Sequence, residues 1–279
     1  MRPEFAERIQ LVAGEFIARE KIDAALKTFA SRVRLNHSYK TSELERNPLT
    51  LIFTVLERLE VCSRLMKAGT ESIFPYYEKQ LAEYLYLTCF DRFGQPADWV
   101  DFGSWLKSKH LKHEREKILS IISHIKDTTE AALVLYSHYQ RLYGVKSSFF
   151  RFLHGVLPKD TRRLLLDSIE IVKMKYPPSL EKLPQADDNE KEAYLFKRRN
   201  DYTHKADFAP PAGEWLGRSY SALVQEHRAD YWITTRTLAW PGVLRRVVCI
   251  GLASYLCQTL AWIFTEVNSL KVFAYLWGL

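Results

Sequence analysis

The stretch VVCIGLASYLCQTLAWIF, residues 247–264, runs for 18 residues without a charged side chain. That approaches the roughly 20 apolar residues of a membrane-spanning helix. Two features argue for a different setting. Ser254, Gln258 and Thr259 interrupt the apolar run, and no second stretch of its kind exists in the chain. A helix apolar on every side is then expected at the centre of a bundle or in the seam of a homodimer. No membrane partner is expected. Pro241 stands in the favoured first turn of this helix, between Trp240 and Gly242.

The remainder of the chain is read outward from that helix. Its 279 residues include only 11 Gly and 11 Pro. Strand-rich chains need more turn chemistry, so few, long helices and an all-α fold class are expected. Helical spacing of apolar residues predicts a first helix over 3–35, a second from Pro48 to Gly69 and a third over 70–93. RFGQPADW is a loop, followed by a short helix at DFGSWLKS. A long amphipathic helix is predicted over 118–144, stopping at Gly144. SSFFRFLHGVL and DTRRLLLDSIEIVKMKY are read as helices on either side of Pro158. YPPSLEKLPQADDNEK, proline-rich and acidic, is the clearest loop. Helical spacing resumes in EKEAYLFKRRNDYTHKA, breaks at Pro210 and Pro211, and returns in two helices over about 213–228 and 241–268. The expected organisation is a helical N-terminal region, 1–69, and a helical bundle, 70–279, with one continuous domain as the alternative.

Composition narrows the class of protein. Hydrophobic residues at 47% and charged residues at 26% are those of a folded chain, not a disordered one. Lys and Arg outnumber Asp and Glu by 40 to 33, a balance that suits a polyanionic partner such as RNA. Cys62, Cys89, Cys249 and Cys257 form no C-x-x-C pair and lie in apolar stretches. They read as free thiols in a reducing compartment, and no zinc site is expected. MRPEFAERIQ has no apolar signal region, so a cytoplasmic location is expected. No Gly-rich phosphate loop, HExxH or paired-carboxylate motif is present, and no cofactor is called for.

One constellation carries chemistry. Lys197-Arg198-Arg199-Asn200-Asp201-Tyr202-Thr203-His204-Lys205 gathers four basic side chains and a histidine in nine residues. The other histidines are scattered, with His110 and His113 in a basic linker, KSKHLKHEREK. On a helix, Arg199 and His204 project about 140° apart, so they converge on one phosphate only at a bent turn, a helix end or a cleft shared with a second subunit. Histidine suits proton transfer near neutral pH, and arginine suits charge stabilisation on a phosphate.

Arg199-Asn200-x-x-x-His204 resembles the signature of the HEPN superfamily, in which an Arg with a polar residue after it precedes a His by four to six positions. The resemblance covers about ten residues, within a helical setting that extends over the last two thirds of the chain. Arg32 and His37 have the same spacing, but Val33 stands where the polar residue belongs. The resemblance implies a mostly all-α homodimer whose two motifs face one cleft, and a metal-independent endoribonuclease. It implies Arg199, His204 and Asn200 as catalytic residues, Lys197, Arg198 and Lys205 as substrate contacts, and RNA as partner. An antitoxin or regulatory partner is a further possibility of the family. Family toxins modified by a partner enzyme carry Tyr two positions after the His; here that residue is Ala206, so no such modification is expected. Two other readings stay open: a non-catalytic RNA- or nucleotide-binding module of the same fold, and a helical protein-interaction module.

Overall fold

A computed structural model of the chain describes residues 7–11, 14, 18–20, 23–24, 27, 48–71, 75–96, 99–175, 183–206, 213–215, 218–228 and 231–263. Helices dominate. Helix α1 (Pro48–Glu71) and α2 (Pro75–Phe93) both open on proline, where the missing N–H costs no intrahelical bond. They pack along each other through Ile52, Val55, Leu56, Leu59 and Cys62 of α1 and Ala82, Tyr86, Phe90 and Phe93 of α2. Ile9 reaches the same core, and Arg8 donates to Glu60 at 2.6 Å. Most of the helix expected over 3–35 lies outside the described residues, as do Arg32 and His37.

A smaller lobe follows, made of α3 (Phe102–Lys107), α4 (Lys112–Ile122) and α5 (Thr128–Tyr143). It has its own core of Val100, Trp105, Ile118, Tyr139 and Tyr143. The single helix expected over 118–144 is therefore two. Asp127 caps the start of α5, its side chain accepting from the Thr129 and Glu130 amides at 2.7 and 3.0 Å. Helix α6 (Val145–Arg151), a π-helical turn (Phe152–Val156) and α7 (Lys159–Asp167) return the chain to the main core.

The all-α expectation fails in one region. Four antiparallel strands, β1 (Ile169–Lys175), β2 (Gly213–Trp215), β3 (Arg218–Arg228) and β4 (Tyr231–Leu238), form a sheet in the order β1-β4-β3-β2. DTRRLLLDSIEIVKMKY is helical only to Asp167, then extends from Ile169. Ile169 and Ile171 of Ile-Glu-Ile-Val-Lys-Met-Lys stand on one face of the strand, as the two-residue period requires. The helix expected over 213–228 is likewise strand, and pairs with the β-branched run ITTRT of β4. Ile169, Ile171 and Val224 share the face that packs on the helical core, and the buried Ala222 stands in register with them. The architecture is mostly helical, with this small sheet set against the helices.

Helix α8 (Asp188–Lys205) crosses that sheet face, tied by Lys173–Glu190 at 2.5 Å and by Lys197 to Glu226 of β3. Its start is a capping box, in which Asp187 accepts from the Glu190 amide and Glu190 accepts from the Asp187 amide. The apolar segment that opened the sequence reading forms α9 (Gly242–Ile263). Leu244, Val247, Val248, Cys249, Leu252 and Tyr255 bury its first half in the main core; residues 264–268 of the helix expected over 241–268 lie outside the described residues. Among the described residues, no helix is long and apolar enough to cross a membrane.

Candidate functional site

The site is the outer half of α8 and the stretch of α2 beneath it. The helix stays regular through Lys205 and ends at Ala206, which adopts a left-handed conformation with φ 49°. Because α8 is helical without a break from Asp188 to Lys205, Arg199 and His204 leave it in different directions, as the helical projection requires. Within one chain they are not brought together: Arg199 turns inward to α2, whereas His204 stands exposed in the last turn.

Arg199 is held by a group that the sequence pattern does not single out. Its Nε donates to Asp91 Oδ2 at 2.8 Å, and its Nη2 lies 2.7 Å from the same oxygen. Nη1 donates to the Thr203 hydroxyl at 3.1 Å and lies 3.4 Å from Asn200 Oδ1. One edge of the guanidinium is thus fixed from behind, and Nη1 is directed along the helix toward Asn200 and Thr203. Asp91 is buried in α2, and its Oδ1 has no hydrogen-bond partner among the described residues. Burial pushes the Asp91 carboxyl up to about 6, and Arg199 beside it offsets only part of that rise.

Arg198, expected at a substrate, points into the protein instead. It is 3% exposed, donates to Gln80 Oε1 at 3.0 Å and lies over the Tyr202 ring at 4.5 Å. Tyr202 donates to Gln80 as well and lies 3.3 Å from Glu83 Oε2. Glu83 is buried, and desolvation pushes its carboxyl up to about 8, although Arg198 pulls the other way. This polar layer pins α8 to α2 under the motif. Lys197 pairs with Glu226, and Lys205 with Asp201 at 2.9 Å. The cationic field of the segment is therefore smaller than its sequence suggests, since each of these cations has an acidic or buried polar neighbour.

A second ionic cluster lies nearer the start of α8. Glu192, 2% exposed, accepts from Arg162 Nε at 2.7 Å and sits 3.0 Å from Nε2 of the half-exposed His154. It ties α7 and the π-turn to α8. Neither Asp91 nor Glu192 was marked by motif. The one legible signal for Asp91 is a carboxylate inside the apolar helical run Leu87-Thr88-Cys89-Phe90-Asp91-Arg92-Phe93.

Among the described residues, no group of three His, Cys, Asp or Glu side chains is arranged to hold a metal ion. Compared with protein-family models, curated proteins and solved structures, the chain matches none.

Proposed function

We propose that this chain is a metal-independent endoribonuclease of HEPN type, acting on RNA as a homodimer. The observation that carries the reading is the division of labour on α8. Arg199 is braced by a buried carboxylate, and His204 is exposed five residues on, along one unbroken helix. A fixed guanidinium suits charge stabilisation at a phosphate. An exposed imidazole suits proton transfer. Since the two diverge by about 140° on the helix, a second copy facing the first is what supplies both groups to one phosphate.

The reaction is attack of the RNA 2′-oxygen on the adjacent phosphorus. The 2′-hydroxyl proton is removed, the P–O5′ bond breaks, and the 5′-oxygen receives a proton. His204 serves the proton transfers, Arg199 stabilises charge on the non-bridging oxygens, and Asn200 orients the phosphate or the guanidinium. The products are a 2′,3′-cyclic phosphate and a 5′-hydroxyl.

A second reading has its own support. Asp91 neutralises Arg199, which fits an RNA- or nucleotide-binding module without catalysis. One experiment separates the two: purified protein is incubated with total RNA in EDTA beside His204→Ala and Arg199→Ala. Endonuclease activity that falls on the order of 10²-fold in each variant supports the enzyme. RNA binding without cleavage in the wild type supports the module.

A further inference from the structure

The corner between α3 and α4 is densely basic. Residues 107–117 carry five cations (Lys107, Lys109, Lys112, Arg115 and Lys117), two carboxylates and two histidines. An isolated run of this kind is ordinarily a solvated helix face. Here the fold sorts the charges by direction.

Arg115 turns inward. Its Nη1 donates to the Trp105 carbonyl and its Nη2 to the Ser108 carbonyl at 2.6 Å, closing the free carbonyls at the end of α3. Its guanidinium lies 6.0 Å from the centre of the Trp105 ring, and Trp105 itself is fully buried in the lobe core. The Lys112 amide donates to the Lys109 carbonyl at 3.2 Å, which closes the turn between the two helices. The corner is built, not frayed.

The carboxylates turn the other way or are shared. Glu114 accepts from the Tyr143 hydroxyl at 3.1 Å, toward the lobe core. Glu116 is left as the outward carboxylate, 3.5 Å from Lys112 and 3.8 Å from His113. No carboxylate lies at ion-pair distance from Lys107, Lys109 or His110 among the described residues, and all three are exposed. The inward turn of Arg115 and Glu114 therefore leaves an outer edge of lysines and histidines on a rigid support.

We propose that the α3–α4 corner is a docking surface for the phosphate backbone of RNA, separate from the α8 site. Lysines on long stems make sequence-independent phosphate contacts. Such a surface holds a long RNA chain while another part of it is handled elsewhere on the protein. The choice of RNA as the polyanion rests on the ribonuclease reading; the cationic surface does not.

The test is binding of a fluorescent single-stranded RNA 20-mer across a salt series in EDTA. Wild type is compared with Lys107→Gln/Lys109→Gln/Lys112→Gln and with a charge-matched control, Lys126→Gln/Lys146→Gln/Lys159→Gln. All six lysines except Lys112 stand outside any ion pair of the described residues, so both variants are expected to fold, and circular dichroism checks this. The corner variant is expected to bind about tenfold or more weakly at physiological salt. Its plot of log Kd against log salt flattens by about 2, at roughly 0.7 for each phosphate that the lysines no longer neutralise. The control stays close to wild type. Equal weakening in both variants, or none in the corner variant, overturns the proposal alone. Wild-type binding to phosphatidylserine vesicles with none to RNA overturns it in favour of a lipid surface. A wild type that binds RNA through the corner yet never cleaves it overturns the ribonuclease reading and leaves the corner standing.

Discussion

Asp91 shows how a single buried group changes the meaning of a surface motif. An arginine read from sequence as a free phosphate contact is ion-paired on one edge at 2.7 Å. Removing the carboxylate leaves the largely buried guanidinium without that partner, and breaking such a pair costs on the order of 3 kcal/mol. Asp91→Ala is therefore expected to lower stability by about that amount in urea denaturation, and Arg199→Ala in the same background to recover part of it. Glu83 makes a second residue-scale prediction. Its folded carboxyl lies near 8, above its ordinary 4.5, so the native state retains a proton that the unfolded chain releases. Its favourable contribution is full below about pH 4.5 and is lost as pH rises toward 8. Thermal melts at pH 5, 6.5 and 8 are expected to show a falling Tm, and Glu83→Gln to flatten the decline above pH 6. A Glu83→Gln profile with the wild-type slope would refute it.

Elements meet at two glycines, and these set the tolerance of the helical core. A Cβ on Gly251 of α9 would stand 2.7 and 2.8 Å from ring carbons of Phe152 in the π-turn. Phe152 is itself fully buried and stacked with Phe93, so it has little room to yield. Gly251→Ala is expected to cost about 1–3 kcal/mol by overpacking. At Gly94, just past α2, the same atom would fall 1.7 Å from the Ser148 carbonyl oxygen. Backbone cannot swing aside as a side chain does, so Gly94→Ala is expected to be the more damaging of the two, by the drop in Tm. These glycines are scarce residues in a glycine-poor chain, and the reason for them is visible only where α9 meets the π-turn and α2 meets α6. The cap at Asp127 belongs to the same scale: its side chain meets two amides and divides one predicted helix into α4 and α5.

At the scale of the whole molecule, the functional proposal needs two chains. One copy directs Arg199 inward and His204 outward on an unbroken helix, so a single chain does not offer both to one phosphate. Light scattering is expected to give a dimer at micromolar concentration, and a monomer throughout that range would remove the shared cleft. What the sequence by itself determined were the features set by local spacing. Apolar residues at helical intervals marked α1, α2 and α8, and the uncharged run that starts at Val247 marked α9, whose residues through Tyr255 pack in the core. The same spacing placed Arg199, Asn200 and His204 on one helix, α8. Only the tertiary structure decided the rest. Ile169–Lys175 and Arg218–Arg228 carry short apolar runs that suit helix or strand alike, and pairing with β4 settles them as strand. Asp91 and Arg199 are 108 residues apart in sequence, and Gln80 and Arg198 are 118 apart. No local pattern records such a pairing, because it arises when two helices bury their polar groups against each other and each must then find a partner.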